Sequence, residues 1–125
     1  MRVLIVDDDS TTAELTAECL TMDPAVSVRT AGDGATALRS ALEFEPDVVL
    51  LDVELPDISG LDLAPRLKVA CRGCAPRIVI FSGSVLEADP DSLPYCVDAC
   101  LTKPAHLETL LDTIFRPTGA RRRLP

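Results

Sequence analysis

Four polar insertions interrupt an otherwise apolar pattern: the acids Asp7-Asp8-Asp9, the single acid Asp52, the hydroxyl of Ser82 and the amine of Lys103. Each stands at the end of a short apolar run. Carboxylate oxygens gathered in a group suit a hard divalent cation. A carboxylate that is already anionic can attack phosphorus in line, and its obstacle is the repulsion between two anions. A fixed ammonium and a hydroxyl can hold the phosphoryl oxygens. Three carboxylates, a lysine and a serine make a poor hydrophobic core and a good site for Mg²⁺ and a phosphoryl group.

Residues so far apart in sequence act together only if the fold brings the ends of several elements to one edge. The apolar runs at 3–6, 48–51, 77–81 and 99–102 read as buried parallel strands, and 26–30 alternates as a further strand. Between them lie helical stretches at 10–22, 35–44 and 61–71, then a proline-broken stretch at 84–95, and a last helix at 107–115 with an apolar stripe. Ser10 or Thr11 can cap the first helix, and Thr11 with Glu14 has capping-box spacing. Pro65 removes a donor from the third helix. Five strands alternating with helices predict an α/β fold: a flavodoxin-like (βα)5 domain with a five-stranded parallel sheet, order 2-1-3-4-5, and helices on both faces. In that order strands one, three, four and five are neighbours. Their carboxyl ends bring Asp7, Asp8, Asp52, Ser82 and Lys103 together.

Composition bounds the function. The 125 residues fit one domain at 1–117 with a basic tail at 118–125, and a 47% hydrophobic content fills a core. A net charge of −8 and 3% aromatics argue against direct nucleic-acid binding. No apolar stretch reaches membrane-spanning length, so no membrane contact is expected. The opening Met1-Arg2 runs straight into a strand without a signal peptide, which gives a cytoplasmic expectation. Five cysteines read as reduced thiols. Cys71, Cys74, Cys96 and Cys100 keep a zinc site as a further possibility. Asp9, Asp57 and Asp62 read as turn, loop and cap residues, and His106 as a surface residue.

On these residues the chain resembles the receiver domain of two-component response regulators, from about Val3 to Phe115. The resemblance implies metal binding by Asp7 and Asp8, with Asp52 both a metal ligand and the phosphoacceptor. It also implies that the backbone carbonyl of Glu54 is a ligand of Mg²⁺, and that Ser82 and Lys103 contact the phosphoryl group. The phosphodonor would be a histidine kinase or a histidine phosphotransfer protein. Output would pass through a downstream protein partner of unknown identity, from a monomer or weak dimer. Such a domain is no enzyme beyond its own phosphorylation and dephosphorylation. Phosphorylation would shift a population between conformations.

Departures from the family pattern are specific. Cys100 stands three residues before Lys103, where the family carries an aromatic switch residue, so a ring swing cannot be the signal. Pro90 and Pro94 alter the fourth-helix stretch. Glu54 and Ser84 occupy positions that tune hydrolysis by water. Two other readings follow from the same residues. One is a phosphorylation-independent pseudo-receiver that only binds a partner. The other is a haloacid-dehalogenase-like phosphatase using Asp7 as nucleophile and Asp9 as general acid/base. That reading leaves Asp52 unexplained and lacks an acidic motif after Lys103 beyond Glu108 and Asp112.

Overall fold

A computed structural model describes residues 1–71, 76–82, 97–102 and 112, with the backbone alone for Ser82 and Thr102. Among these residues β1 (Arg2–Val6), β2 (Ser27–Ala31), β3 (Val48–Leu51), β4 (Arg77–Ser82) and β5 (Ala99–Thr102) form one parallel sheet. The strand order is β2-β1-β3-β4-β5, as the alternation of elements predicts. Among the described residues three helices connect β1 through β4: α1 (Ser10–Leu20), α2 (Gly34–Phe44) and α3 (Gly60–Ala70).

The strands carry apolar residues without a break because both faces of the sheet are covered. Successive side chains alternate between the faces. Leu4, Val6, Val49, Leu51, Ile78 and Ile80 meet Ala37 and Ala41 of α2 and Leu63, Ala64 and Leu67 of α3. Val3, Ile5, Val48, Leu50, Val79 and Phe81 meet Ala13 and Leu20 of α1. Small residues on α2 let that helix lie close to the strands, and truncating one of the large buried residues, such as Leu51 or Leu63, would cost about 2–5 kcal/mol.

The helix ends correct the sequence reading in detail. Asp9, rather than Ser10 or Thr11, caps α1. Its carboxylate accepts from the Thr11 and Thr12 amides at 3.1 and 3.3 Å and from the Thr12 hydroxyl at 3.0 Å. A full negative charge at the positive end of the helix dipole outcompetes a hydroxyl there. α2 begins at Gly34, one residue early, behind the cap Asp33, and ends where Glu45 takes a left-handed φ of 48° before Pro46. α3 starts at Gly60 behind Ser59 and runs to Ala70 with Pro65 inside it. Pro65 lies on the exposed side of α3, where water can serve the carbonyl left without a donor. β2 lies one residue later than read, and β4 extends one residue further, to Ser82.

The stretches read as a fourth helix, a last helix and a basic tail lie outside the described residues, apart from the helical, exposed Asp112.

Candidate metal and phosphoryl site

The strand register decides which residues can meet. Val6 lies opposite both Ala31 and Leu51, and Leu51 lies opposite Ile80. β1 and β3 therefore end level with each other, and Asp7 and Asp52 are the next residues on each. Both remain tied to the sheet. The Asp7 amide donates to the Ala31 carbonyl at 2.9 Å, and the Asp52 amide to the Val6 carbonyl at 2.9 Å. Their positions are thus set by ladder hydrogen bonds rather than by a loop. β4 continues past this level, so Ser82 lies beyond the tip of β3, paired with Thr102 of β5. Lys103 directly follows Thr102 in the chain and lies outside the described residues, as do Gly83, Ser84, Pro104 and His106.

Asp7 and Asp52 are buried, at 4% and 9% exposure, while Asp8 is exposed. Carboxylate oxygens of the three lie within 4.8 Å of one another. At that separation two like charges near a surface repel by about 1–3 kcal/mol. Each buried acid is oriented by a backbone amide two residues on. The Asp9 amide donates to Asp7 Oδ1 at 2.9 Å, and the Glu54 amide donates to Asp52 Oδ1 at 3.2 Å. The structure brings Asp7, Asp8 and Asp52 together, as the strand order leads one to expect. It also sets Asp9 apart, since its carboxylate is committed to the amino terminus of α1.

The donor set is all oxygen, which suits Mg²⁺ or Ca²⁺ better than zinc. Of the three acids only Asp8 is exposed.

The segment after Asp52 is shaped by close approach. The Gly60 amide donates to the Val53 carbonyl at 2.7 Å. A Cβ on Gly60 would overlap the carbonyl oxygen of Asp52, so only glycine lets α3 start against the backbone of the acceptor strand. Further along, Asp57 accepts from the Gly34 and Ala35 amides of α2 at 2.8 and 3.1 Å. Those amides, the Gly34 one foremost, hold its carboxyl below the ordinary value of 3.8. Sequence reading classed Asp57 as a loop residue. Its partners lie 22 and 23 residues earlier, and no local pattern announces them.

Of the cysteines, Cys71 is buried with its thiol on the Ala41 carbonyl at 3.9 Å, and Cys19 is exposed. Burial pushes the Cys71 thiol up from 9.0, away from reactivity. Cys100 is half-buried, packs with the α2–α3 face of the core and lies opposite Ile80. Cys74 and Cys96 lie outside the described residues. No described helix is long and apolar enough to cross a membrane.

A family model for the response regulator receiver domain matches residues 3–115. Among curated proteins, the probable transcriptional regulatory protein TcrX of Mycobacterium tuberculosis is 36% identical over 120 residues, covering 94% of this chain and 50% of the relative. The chain spans about half the length of TcrX and of the cell cycle transcriptional regulator CtrA of Caulobacter vibrioides, to which it is 31% identical over 114 residues. Among solved structures, a response regulator protein from Burkholderia pseudomallei with a phosphorylated aspartic acid, calcium ion and citrate superposes with a TM-score of 0.81 at 26% identity, covering 92% of this chain and 66% of that one. Response regulator protein TrrA of Thermotoga maritima, in complex with Mg²⁺ and BeF, superposes with a TM-score of 0.77 at 26% identity, covering 90% and 95%.

Proposed function

This chain belongs to the response regulator receiver domain family, and on that premise we propose that Asp52 is its phosphoacceptor, with Mg²⁺ held by Asp7, Asp8, Asp52 and the backbone carbonyl of Glu54. Receiver domains take a phosphoryl group on an aspartate in two-component signalling, with the group coming from a histidine kinase.

The single observation that carries it is the cluster of Asp7, Asp8 and Asp52 within 4.8 Å at the carboxyl ends of two neighbouring strands. Bound Mg²⁺ would offset the charge that an incoming phosphoryl group brings to these acids. The chain's own residues do the rest. Asp52 is held by its amide on Val6 and oriented by the Glu54 amide on Oδ1. A carboxylate oxygen of Asp52 attacks phosphorus, a P–O bond forms, and the bond from phosphorus to the donor breaks. The donor keeps that electron pair and takes a proton from solvent. Ser82 and Lys103, from the ends of β4 and β5, bind the phosphoryl oxygens and favour the conformation in which they can do so.

The phosphodonor is a histidine kinase or histidine phosphotransfer protein, and the output is a protein contact made in the cytoplasm. With Cys100 in place of a ring, the response passes through Ser82, Lys103 and the segments that carry them. A differential of roughly 3–5 kcal/mol between the two conformations turns a mostly inactive population into a mostly active one.

The test is intact-protein mass after incubation with a small-molecule phosphodonor, with and without Mg²⁺. One added phosphoryl group in wild type with metal, and none in Asp52→Asn, is expected. No addition under any condition would contradict the reading and leave a binding module that has kept the fold only.

A further inference from the structure

The four residues at the amino end of α2 show an unusual division of labour. Asp33 caps the helix in the ordinary way, its carboxylate accepting from the Thr36 amide at 2.7 Å, while its carbonyl accepts from Ala37 at 3.0 Å. The two remaining amides, of Gly34 and Ala35, go to Asp57 in the segment between β3 and α3. The Ala37 amide makes the first bond of the helix ladder, and the three amides before it, of Gly34, Ala35 and Thr36, are each served by a carboxylate, two of them by a residue from another part of the chain. The contact is apolar as well. A Cβ on Gly34 would overlap Ile58 Cγ2 and would lie 3.2 Å from Asp57 Oδ1. Gly34 is thus small where the segment docks.

That segment is the one that leaves the acceptor. It is closed at its base by the Gly60 amide on the Val53 carbonyl, and Glu54 lies inside the closed stretch. It is exposed at Glu54, Pro56, Asp57 and Ser59, so core packing alone does not fix its course. Val53, Leu55 and Ile58 pack against the core, the Val53–Gly60 bond closes the segment at its base, and the Asp57–α2 bridge ties its middle to the neighbouring helix.

We propose that Asp57 is a positioning residue for the metal site: by bridging to Gly34 and Ala35 of α2 it holds residues 53–60 in the course that presents the Glu54 carbonyl and the Asp52 carboxylate to the cation. The inference rests on the assignment of Asp52 and Glu54 above. It assigns to the first turn of α2, which carries no ligand, a share in metal affinity. Groups that orient metal ligands without touching the metal commonly change affinity when removed.

The rival account is a plain helix cap, and Asp33 supplies the control. Asp33→Ala and Asp57→Ala each strip amide partners from the same helix end, and only the second frees the loop. Mg²⁺ binding is measured by titration of the unphosphorylated protein, following amide shifts by NMR. Phosphorylation rate against Mg²⁺ concentration is measured alongside. Asp57→Ala is expected to raise the Mg²⁺ dissociation constant by about threefold or more, with the rate at saturating Mg²⁺ nearly retained, and Asp33→Ala to leave the constant within measurement error. Asp57→Asn, which keeps one acceptor oxygen, is expected to fall between wild type and Asp57→Ala, and it carries the test should the alanine variant not fold. Equal Mg²⁺ affinity in wild type, Asp57→Asn and Asp57→Ala, or equal weakening by Asp33→Ala, would overturn the proposal and leave Asp57 a cap. A wild type that binds Mg²⁺ but takes no phosphoryl group, or an Asp52→Asn variant that is still labelled, would instead overturn the assignment beneath it.

Discussion

The two edges of the sheet treat their acids in opposite ways. At the edge where strands begin, Asp47 precedes β3 and Asp98 precedes β5. Asp47 accepts from the Arg2 amide at 2.8 Å. Asp98 accepts from the Ile78 amide at 2.8 Å and from Lys68 of α3 at 2.9 Å. Each acid is spread apart from the other and joined to a donor on a neighbouring element, so each closes the fold. At the edge where strands end, Asp7, Asp8 and Asp52 are gathered onto one another instead. An acid held by an amide or a cation of the same chain needs nothing from solution. Acids held against acids raise the energy of the fold, and a bound cation lowers it again. The difference sets the two groups of carboxylates apart without reference to any relative.

Breaking the functional edge should give the largest effect. Asp52→Asn is expected to lose phosphorylation outright while keeping the fold, since the amide still accepts at Oδ1. Next, Asp8→Ala is expected to weaken Mg²⁺ binding about tenfold or more, the strongest loss among the first-strand acids. Because it also removes a repelling charge, its melting temperature without metal should equal or exceed that of wild type, and calorimetric titration with thermal melts would check both. A melting temperature that falls sharply without metal would mean that Asp8 stabilises the fold by itself.

Asp98→Ala is the mirror experiment. It leaves the Ile78 amide and Lys68 without their partner, at an expected cost of about 1–3 kcal/mol, read as a drop in denaturation midpoint with Mg²⁺ affinity unchanged. A changed affinity would show that the two edges are coupled.

Smaller effects follow from the two shifted groups. The folded-state value of Asp57 lies below 3.8, so the folded chain binds fewer protons there than the unfolded chain. Its stabilisation is present in full above that ordinary value and is lost as pH falls through the lowered one. The difference in melting temperature between wild type and Asp57→Ala should therefore shrink only below pH 3.8. Cys71 shifts upward from 9.0, so its buried thiol stabilises the fold below that pH and loses the contribution as pH rises through the raised value. Alkylation mapped by mass near neutral pH is expected to modify exposed Cys19 well before Cys71.

Most of the sheet was legible because strands buried on both faces must be apolar throughout, and few other elements are both that short and that apolar. The acid cluster was legible for a related reason: an acid directly after such a strand is held by the ladder, as Asp7 and Asp52 are. Helix starts were less legible. Thr11 and Glu14 have the spacing of a capping box, yet Asp9 wins the amides by its charge. The helices read from 35 and 61 each begin one residue earlier, at Gly34 and Gly60, where another segment comes too close for a Cβ. The bridge from Asp57 to α2 was not legible at all. It joins residues that only the finished fold brings together, and nothing in the loop sequence distinguishes an acid facing water from one facing two amides.

The central claim is that the acid at the end of β3, and not one at the end of β1, takes the phosphoryl group. Reduction of the phosphorylated protein with borohydride converts an aspartyl phosphate to a homoserine, which peptide mass mapping locates. The account predicts a single converted residue at position 52, seen only with Mg²⁺ and phosphodonor present. Conversion at position 7, as a phosphatase-type nucleophile would give, would contradict it.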